Sequence, residues 1–499
     1  GQLCLCTPAR VCEDAAMLDT GTTPLYHQVA DQLHGLIRAG TLRPGERVPS
    51  VRRLSRQQGV SVATVLQAYQ RLEDAGVIEA RPQSGYYVKR ASRPVEEPAS
   101  SKPPRRALAV EINALADVML QAGQDPKMVS FGSACPAGEM FPLERIRRVL
   151  SSRARRDRNA LGRYGLPPGT EALRRAIARR ALEWGCRIDH RNLVITNGCM
   201  EALNLCLRAV TSPGDTVALE SPTYYGFLQI LQALGLKALE IPTHPRTGIS
   251  LEALELALQA HDVKAVLVMP NVSNPVGATM TEQAKKCLVE MLAARNVPLI
   301  EDHIYSELCY DAAARRAAKC FDRTGNVMLC SSFSKTLAPG LKSGFIEPGR
   351  WRERIRTLKF VSSGGNAEII ELALAELLES GGYERSLRQL RRRCEQQVDA
   401  ARGVIAENFP RGTRVTRPTG GFILWVELPK GGDSIALFEK LLERGISIAP
   451  GPMFSATQRY RNCLRVSVGH LWTERTEKAL AEVGRLARAQ IGEGAIANA

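Results

Sequence analysis

No run of about 18 uncharged apolar residues, the length a helix needs to cross a bilayer, occurs in the 499-residue chain, so no membrane partner is expected. The first residues lack the basic-then-apolar pattern of a secretion signal. The 13 cysteines are odd in number and have no regular spacing. In a chain this long without a secretion signal, they read as reduced thiols of a cytoplasmic protein. Cys4, Cys6 and Cys12 lie close together, but no second cluster follows to complete a metal site. Residues 1–20 therefore read as a loose tail, and no metal is expected.

What is present exceeds one core: this length implies two or more domains. The apolar fraction, 44%, is that of an ordinary globular protein. The formal charge is +16, which suits a nucleic-acid partner. Between Gly21 and Arg90 there are ten Lys/Arg and five Asp/Glu, a net +5. The rest of the chain carries much of the excess, so charge alone is a weak pointer to DNA.

Leu25, Val29, Leu33 and Leu36–Ile37 recur at helical spacing and predict an amphipathic helix over 24–38. Gly40 and the Arg43-Pro44-Gly45 turn end it. Ser50 is placed to cap a second helix, Val51 to Gln58, with Val51 and Leu54 inward. After a turn at Gly59, Ser61 caps a third helix whose buried stripe is Val65, Ala68, Tyr69 and Leu72. Gly76 stops it. Short strands over 77–80 and 85–89 flank Arg81-Pro82-Gln83-Ser84. Three helices and a hairpin make the winged helix-turn-helix layout.

The letters from Leu25 to Val88, with "GERVPSVRRLS", "GVSVAT" and a glycine-tipped wing, resemble a GntR-family DNA-binding head over its full length. That resemblance implies a double-stranded DNA operator as partner, with the third helix in the major groove. Ser61, Ala63, Thr64 and Gln67 would face the bases, Arg52 would reach phosphate or a base edge, and Gln83, Ser84 and Gly85 would touch the minor groove. Val62 and Ala63 are apolar where many relatives carry longer polar side chains, which implies fewer direct base contacts.

Residues 91–107 are rich in Pro, Ser, Glu and Arg, without apolar periodicity, and read as an extended, semi-flexible linker. "ALAVEINALADVMLQAG" then turns apolar and helical. In the body, 108–499, strand-like runs at Leu193–Thr196, Thr216–Glu220, Val263–Pro270, Val297–Asp302 and Val327–Ser332 alternate with helical patterns such as 199–210 and 281–295. The alternation predicts a mostly parallel α/β sheet. From about residue 370, a long charged helix near 381–407 and strands near Phe422–Leu428 and Cys463–Val468 predict a smaller α+β subdomain. The chain is multidomain.

Several motifs follow the strands in order. In Ser332-Phe333-Ser334-Lys335, a lysine beside small hydroxyls suits an aldehyde cofactor: the amine forms an imine, and hydroxyls and a nearby cation hold a phosphate. Asp302, ending a strand, can pair with a protonated pyridine nitrogen; Tyr305 and Asn274 can hold the ring's phenolic oxygen. Asn197-Gly198-Cys199-Met200 is a glycine turn from strand to helix that aims N–H groups at an anion.

The string from Ser332 to Lys342, with these motifs ahead of it, resembles the lysine site of fold type I aminotransferases, pyridoxal-phosphate-dependent enzymes. Together with the head, the chain resembles the MocR regulators over nearly its whole length. The resemblance implies pyridoxal 5'-phosphate bound as an aldimine on Lys335, the catalytic lysine. Its phosphate would be held by the backbone of Cys199 and Met200, by Ser332, Ser334 and Lys342, and by Tyr164 reaching across from a second subunit. Tyr224 would stack on the ring, and Arg465 in "NCLRVS" would clamp an α-carboxylate. The family plan is a domain-swapped homodimer. Lys342 departs from it, standing where relatives usually carry Arg; it keeps the charge and loses the fork. The implied function is a transcription regulator sensing an amino-compound effector through the cofactor. A genuine aminotransferase with an accessory head, and a DNA-binding protein using the body only as scaffold, are the alternatives; fold alone separates none of them.

Overall fold

The computed structural model describes residues 24–81, 84–89, 95–110 and 115–497, and the chain divides into two units, Gly1–Ser92 and Arg93–Ala499. In the smaller unit α1 (Leu25–Arg38), α2 (Val51–Gln58) and α3 (Val62–Asp74) precede an antiparallel hairpin of β1 (Ile78–Arg81) and β2 (Gly85–Val88). Ser50 and Ser61 cap α2 and α3: each hydroxyl accepts the backbone N–H three residues on, from Arg53 and Thr64. Val65, Ala68, Tyr69 and Leu72 are buried against Val29, Ala30, Leu33 and Leu54. After the turn at Arg43-Pro44-Gly45, residues 45–48 run along the hairpin. Gly45 and Val48 donate to Val88 and Tyr86 carbonyls, and Val88 donates back to Glu46.

In the larger unit the strands run β3 (Leu108–Ala109), β4 (Val129–Ser130), β5 (Val194–Thr196), β6 (Thr216–Ser221), β7 (Lys237–His244), β8 (Gly248–Ile249), β9 (Val263–Val268), β10 (Leu299–Asp302), β11 (Val327–Ser332) and β12 (Gly344–Glu347). All but β4 form one sheet in the order β3-β7-β6-β9-β10-β11-β12-β5, with β8 paired to β7. The central strands β7, β6, β9, β10 and β11 are parallel, while β12 is antiparallel to both its neighbours. Helices cover the faces, so strands such as Val266-Leu267-Val268 are buried throughout.

β13 (Arg414–Val415), β14 (Ile423–Glu427), β15 (Ile446–Ser447), β16 (Ala449–Pro450) and β17 (Cys463–Ser467) follow, with the long helix Gly382–Asn408 ahead of them. β13, β14, β17 and β16 make a second, antiparallel sheet. This part, read as residues from about 370 onward, also takes in a far earlier segment. β4 pairs with β15 in parallel; Phe131 N–H donates to Ser447 O (2.7 Å), and Ser467 N–H donates to Phe131 O (2.8 Å).

Two readings need correction. The stretch from Ala107 is not helical at its start: Leu108–Ala109 is an edge strand on β7, because pairing there satisfies backbone groups that helical periodicity alone leaves open. The helix is shorter, Leu115–Ala122. The Pro- and Ser-rich stretch is also no free tether from Val95 onward. Glu96 O accepts Val415 N–H (2.9 Å), and Ser101 exchanges bonds with the Thr243 backbone (3.1 and 2.8 Å). Residues 90–94 lie outside the described residues.

Candidate functional site

In an open α/β sheet, the space beyond the carboxyl ends of parallel strands is where loops can converge on a ligand. Here Thr196 leads to the Asn197–Met200 turn, Ser221 to Tyr224, Val268 to Asn274, Asp302 to Tyr305 and Ser332 to Lys335. Together with Ser133, Ala134 and Cys135 they enclose a cavity of about 400 Å³.

Lys335 Nζ donates to Ala134 O (2.7 Å), and Tyr305 Oη donates to the same carbonyl (3.4 Å). Desolvation lowers the Lys335 pKa, favouring the neutral amine that a nucleophile needs. Asp302 is buried; its Oδ1 accepts Ile304 N–H (3.0 Å) and the Cys199 thiol (3.4 Å). Burial pushes its pKa up to about 7, above the pull of those donors. A cation at this point would be needed to hold it charged. Asn274 Oδ1 accepts from Arg465 Nη1 (3.1 Å), which leaves the amide NH₂ to face a ligand. Tyr224 lines the same cavity, its ring tilted against Tyr225 with centroids 4.8 Å apart.

Arg465 stands behind Asn274, fully buried on β17. Its Nη2 donates to Gly132 O, and its Nε has no partner. No carboxylate among the described residues pairs with it. A buried guanidinium so placed favours an anionic ligand, since an unpaired buried charge is costly.

The opposite end is built on Gly198, whose φ of 85° favours glycine and which opens the helix Cys199–Val210. The first-turn N–H groups have no acceptor within the helix, and Ser332, Ser334 and Lys342 line the same end. Gly344 on β12 packs against this turn: an added Cβ would lie 2.6 Å from Ser331 O and 2.8 Å from the Gly198 carbonyl carbon. Gly344→Ala is expected to destabilise the fold by about 1–3 kcal/mol, which thermal denaturation would read.

The cavity residues named from sequence line this space except two: Tyr164, which is 94% exposed and outside it, and Arg465, which is fully buried behind Asn274. The sequence reading missed the Ala134 and Gly132 carbonyls, the Cys199 thiol on Asp302, and Glu220. Glu220 is buried on β6; Oε2 accepts Met269 N–H (3.0 Å), Oε1 has no partner, and burial raises its pKa to about 8. Glu220 and Asp302 both bind their protons more tightly folded than unfolded. Their stabilising effect is complete below the unfolded carboxyl range and is lost as pH rises through about 7 to 8. The cofactor-free protein should therefore melt at lower temperature as pH climbs through that window, and Glu220→Gln should flatten the slope; an unchanged slope would contradict it.

On the head, Arg52, Ser61, Ala63 and Gln67 are exposed and Thr64 is half-buried. The Ser61 and Thr64 hydroxyls bond each other (2.8 Å), so both are partly occupied by the cap. Val62 and Leu66 are exposed beside them, an apolar strip on the face read as base-contacting. In the wing, Gly85 has φ 108°, and a Cβ there would lie 3.3 Å from the Arg47 guanidinium, a cation the sequence reading did not single out. Ser84 Oγ bonds Tyr87 Oη (2.6 Å). Gln83 lies outside the described residues.

Comparison with known proteins gives two family matches: bacterial regulatory proteins of the gntR family over residues 25–88, and aminotransferase class I and II over residues 126–483. An uncharacterized HTH-type transcriptional regulator of Escherichia coli (strain K12), YdcR, is 42% identical over 462 residues, 92% of this chain and 98% of its own. The Pyrococcus horikoshii kynurenine aminotransferase structure, in complex with PMP, superposes with TM-score 0.68 at 28% identity, covering 77% of this chain and 95% of its own. The alpha-aminoadipate aminotransferase of Thermus thermophilus, complexed with N-(5'-phosphopyridoxyl)-L-leucine, gives a TM-score of 0.66 at 27% identity, covering 77% of this chain and 100% of its own. The chain thus belongs to the MocR type of GntR-family transcription regulators, with a winged-helix head and an aminotransferase-like body of the pyridoxal-phosphate-dependent class.

Proposed function

We propose that this regulator senses an amino carboxylate through pyridoxal phosphate held in the cavity, and that binding there alters its affinity for a DNA operator. The observation that carries the reading is the convergence of Lys335, Asp302, Asn274 and Tyr305 on one cavity in a chain that also carries a winged-helix head.

The donor set fits the cofactor. A buried carboxylate, Asp302, suits a pyridinium; an amide and a phenol, Asn274 and Tyr305, suit a phenolate; the Gly198 turn with Ser332, Ser334 and Lys342 suits a phosphate. When bound, the cofactor supplies an electrophilic carbon and an electron sink. Lys335 offers its amine, its pKa lowered by desolvation and its position set by Ala134 O. Asp302 holds a proton at the ring nitrogen. Arg465, whose Nε has no partner, would offer guanidinium N–H groups to a carboxylate, and Tyr224 would flank the ring. An incoming amine would meet the bound cofactor beside Lys335, so the same site would serve as a sensor. Because Lys335, Asp302, Asn274 and Tyr305 meet in one cavity, slow aminotransferase turnover is the second reading of the same site.

Tyr164, Leu161 and Leu166 are all exposed. We attribute this to a face that meets a second subunit, as in the domain-swapped homodimer of the family plan.

The test is a screen of amino carboxylates, following the visible spectrum of the bound cofactor and operator affinity together. Duplex binding should fall steeply as salt rises, since each phosphate contact releases counterions. Arg52→Ala should weaken it by roughly 1–3 kcal/mol at one base position if Arg52 reads an edge, or at all sequences if it touches phosphate. A cofactor spectrum that responds while operator affinity never does would favour the enzyme with an accessory head.

A further inference from the structure

Away from the cavity, two thiols of the larger unit face each other. Cys186 follows Gly185, which leaves the Ala181–Trp184 turn at φ 73°; Cys320 lies in the Ala318–Phe321 turn. Both are free, and their Sγ atoms are 3.0 Å apart, about 1 Å more than a disulfide bond.

The two turns are stitched together. Trp184 O accepts both Ala317 N–H (3.1 Å) and the Cys320 thiol (3.1 Å). From the other side, Glu301 holds the Cys320 turn: Oε1 accepts Ala318 N–H (2.9 Å) and Oε2 accepts Lys319 N–H (2.8 Å). The pair is thus preorganised, and closing it asks for little movement.

The partners differ in access. Cys186 is 2% exposed, whereas Cys320 is only half-buried. The hydrogen bond from Cys186 draws the Cys320 pKa down, and the neighbouring Arg316 cation works the same way. The nucleophile is the thiolate, so the more acidic and more accessible sulfur attacks first.

We propose that Cys186 and Cys320 form an oxidisable dithiol that hydrogen peroxide converts to a disulfide, with Cys320 attacking and Cys186 resolving. The Cys320 thiolate attacks one peroxide oxygen; an S–O bond forms, the O–O bond breaks, and hydroxide leaves as water after taking a proton. The Cys186 sulfur then attacks Cys320 Sγ. An S–S bond forms, the S–O bond breaks, and the second hydroxide leaves as water with the Cys186 proton. Two thiols are oxidised and one peroxide is reduced to two waters. The new bond ties the turn held by Glu301, the neighbour of Asp302, to the turn that carries Trp184.

Cys206 and Cys330 provide an internal control. Their sulfurs are 3.4 Å apart, but both residues are fully buried. The experiment treats the reduced full-length protein with hydrogen peroxide, blocks remaining thiols under denaturation with N-ethylmaleimide, and maps the digest by mass spectrometry. Expected is a Cys186–Cys320 linked peptide that dithiothreitol removes, with Cys206 and Cys330 still alkylated. In Cys186→Ser, Cys320 should instead trap dimedone as the sulfenic acid. Recovery of both Cys186 and Cys320 as alkylated thiols after peroxide would overturn the proposal, as would Cys320 linked to any other cysteine. Dimedone on Cys186 in Cys320→Ser, with none on Cys320 in Cys186→Ser, would overturn the assigned order.

Discussion

Lys335→Ala is expected to abolish covalent retention of the cofactor. Wild-type protein incubated with pyridoxal phosphate and desalted should keep its visible absorption, and borohydride should leave the cofactor's mass on the peptide holding Lys335. The variant should emerge colourless from the same column, with no modified peptide. The physical reason is that only a neutral amine inside the cavity can make the bond. Lys342, the other lysine lining it, is exposed at the opposite end. Lys342→Ala should therefore show the opposite profile: the covalent mark stays, and the concentration of cofactor needed to reach it rises. Two variants with identical losses would mean that the phosphate end, not the amine, decides retention, and the lysine reading would fall.

Arg465→Ala should uncouple effector from response. Truncating one partner of a buried, hydrogen-bonded charge pair costs about 2–5 kcal/mol, so the midpoint of the effector titration should move by roughly tens to thousands of fold. Arg465→Lys should recover little, because a point charge lacks the planar fork. Arg465 also fixes Asn274 through Oδ1, so a small loss of cofactor affinity should accompany the large loss of response. A ligand that no longer distinguishes two body conformations cannot shift their populations. A full response in Arg465→Ala would mean that the effector is anchored elsewhere or carries no carboxylate.

Local signals were legible where a side chain does its work next to itself in sequence. Ser50 and Ser61 read as caps because a hydroxyl before an apolar-periodic run has one obvious use. The string from Ser332 to Lys335 could be read as one unit because strand, hydroxyls and lysine lie on consecutive residues, and it falls on the cavity wall. Features made by distant chain segments did not read. Nothing in "LAV" announces an edge strand, since the partner that makes Leu108–Ala109 extended is β7. Ala134 and Gly132 act through carbonyls, which every residue has, so no letter marks them. Glu220 ends an apolar strand run; only its burial, with Asp302 nearby, makes it titrate near neutrality.

The pairing of β4 with β15 also dictates when the site can exist during synthesis. Ala134, whose carbonyl accepts the Lys335 amine, lies on a segment whose position depends on Ser447 and Ser467. A ribosome still holding those residues has already released Lys335, Asp302 and Asn274, yet the wall they face has no sheet to rest on. The head waits for nothing of the kind: its elements end at Val88 and its contacts are short in sequence. Local contacts close quickly and long-range pairings late. A newly made chain thus passes through a stage in which the head is folded and the cavity is still unbuilt.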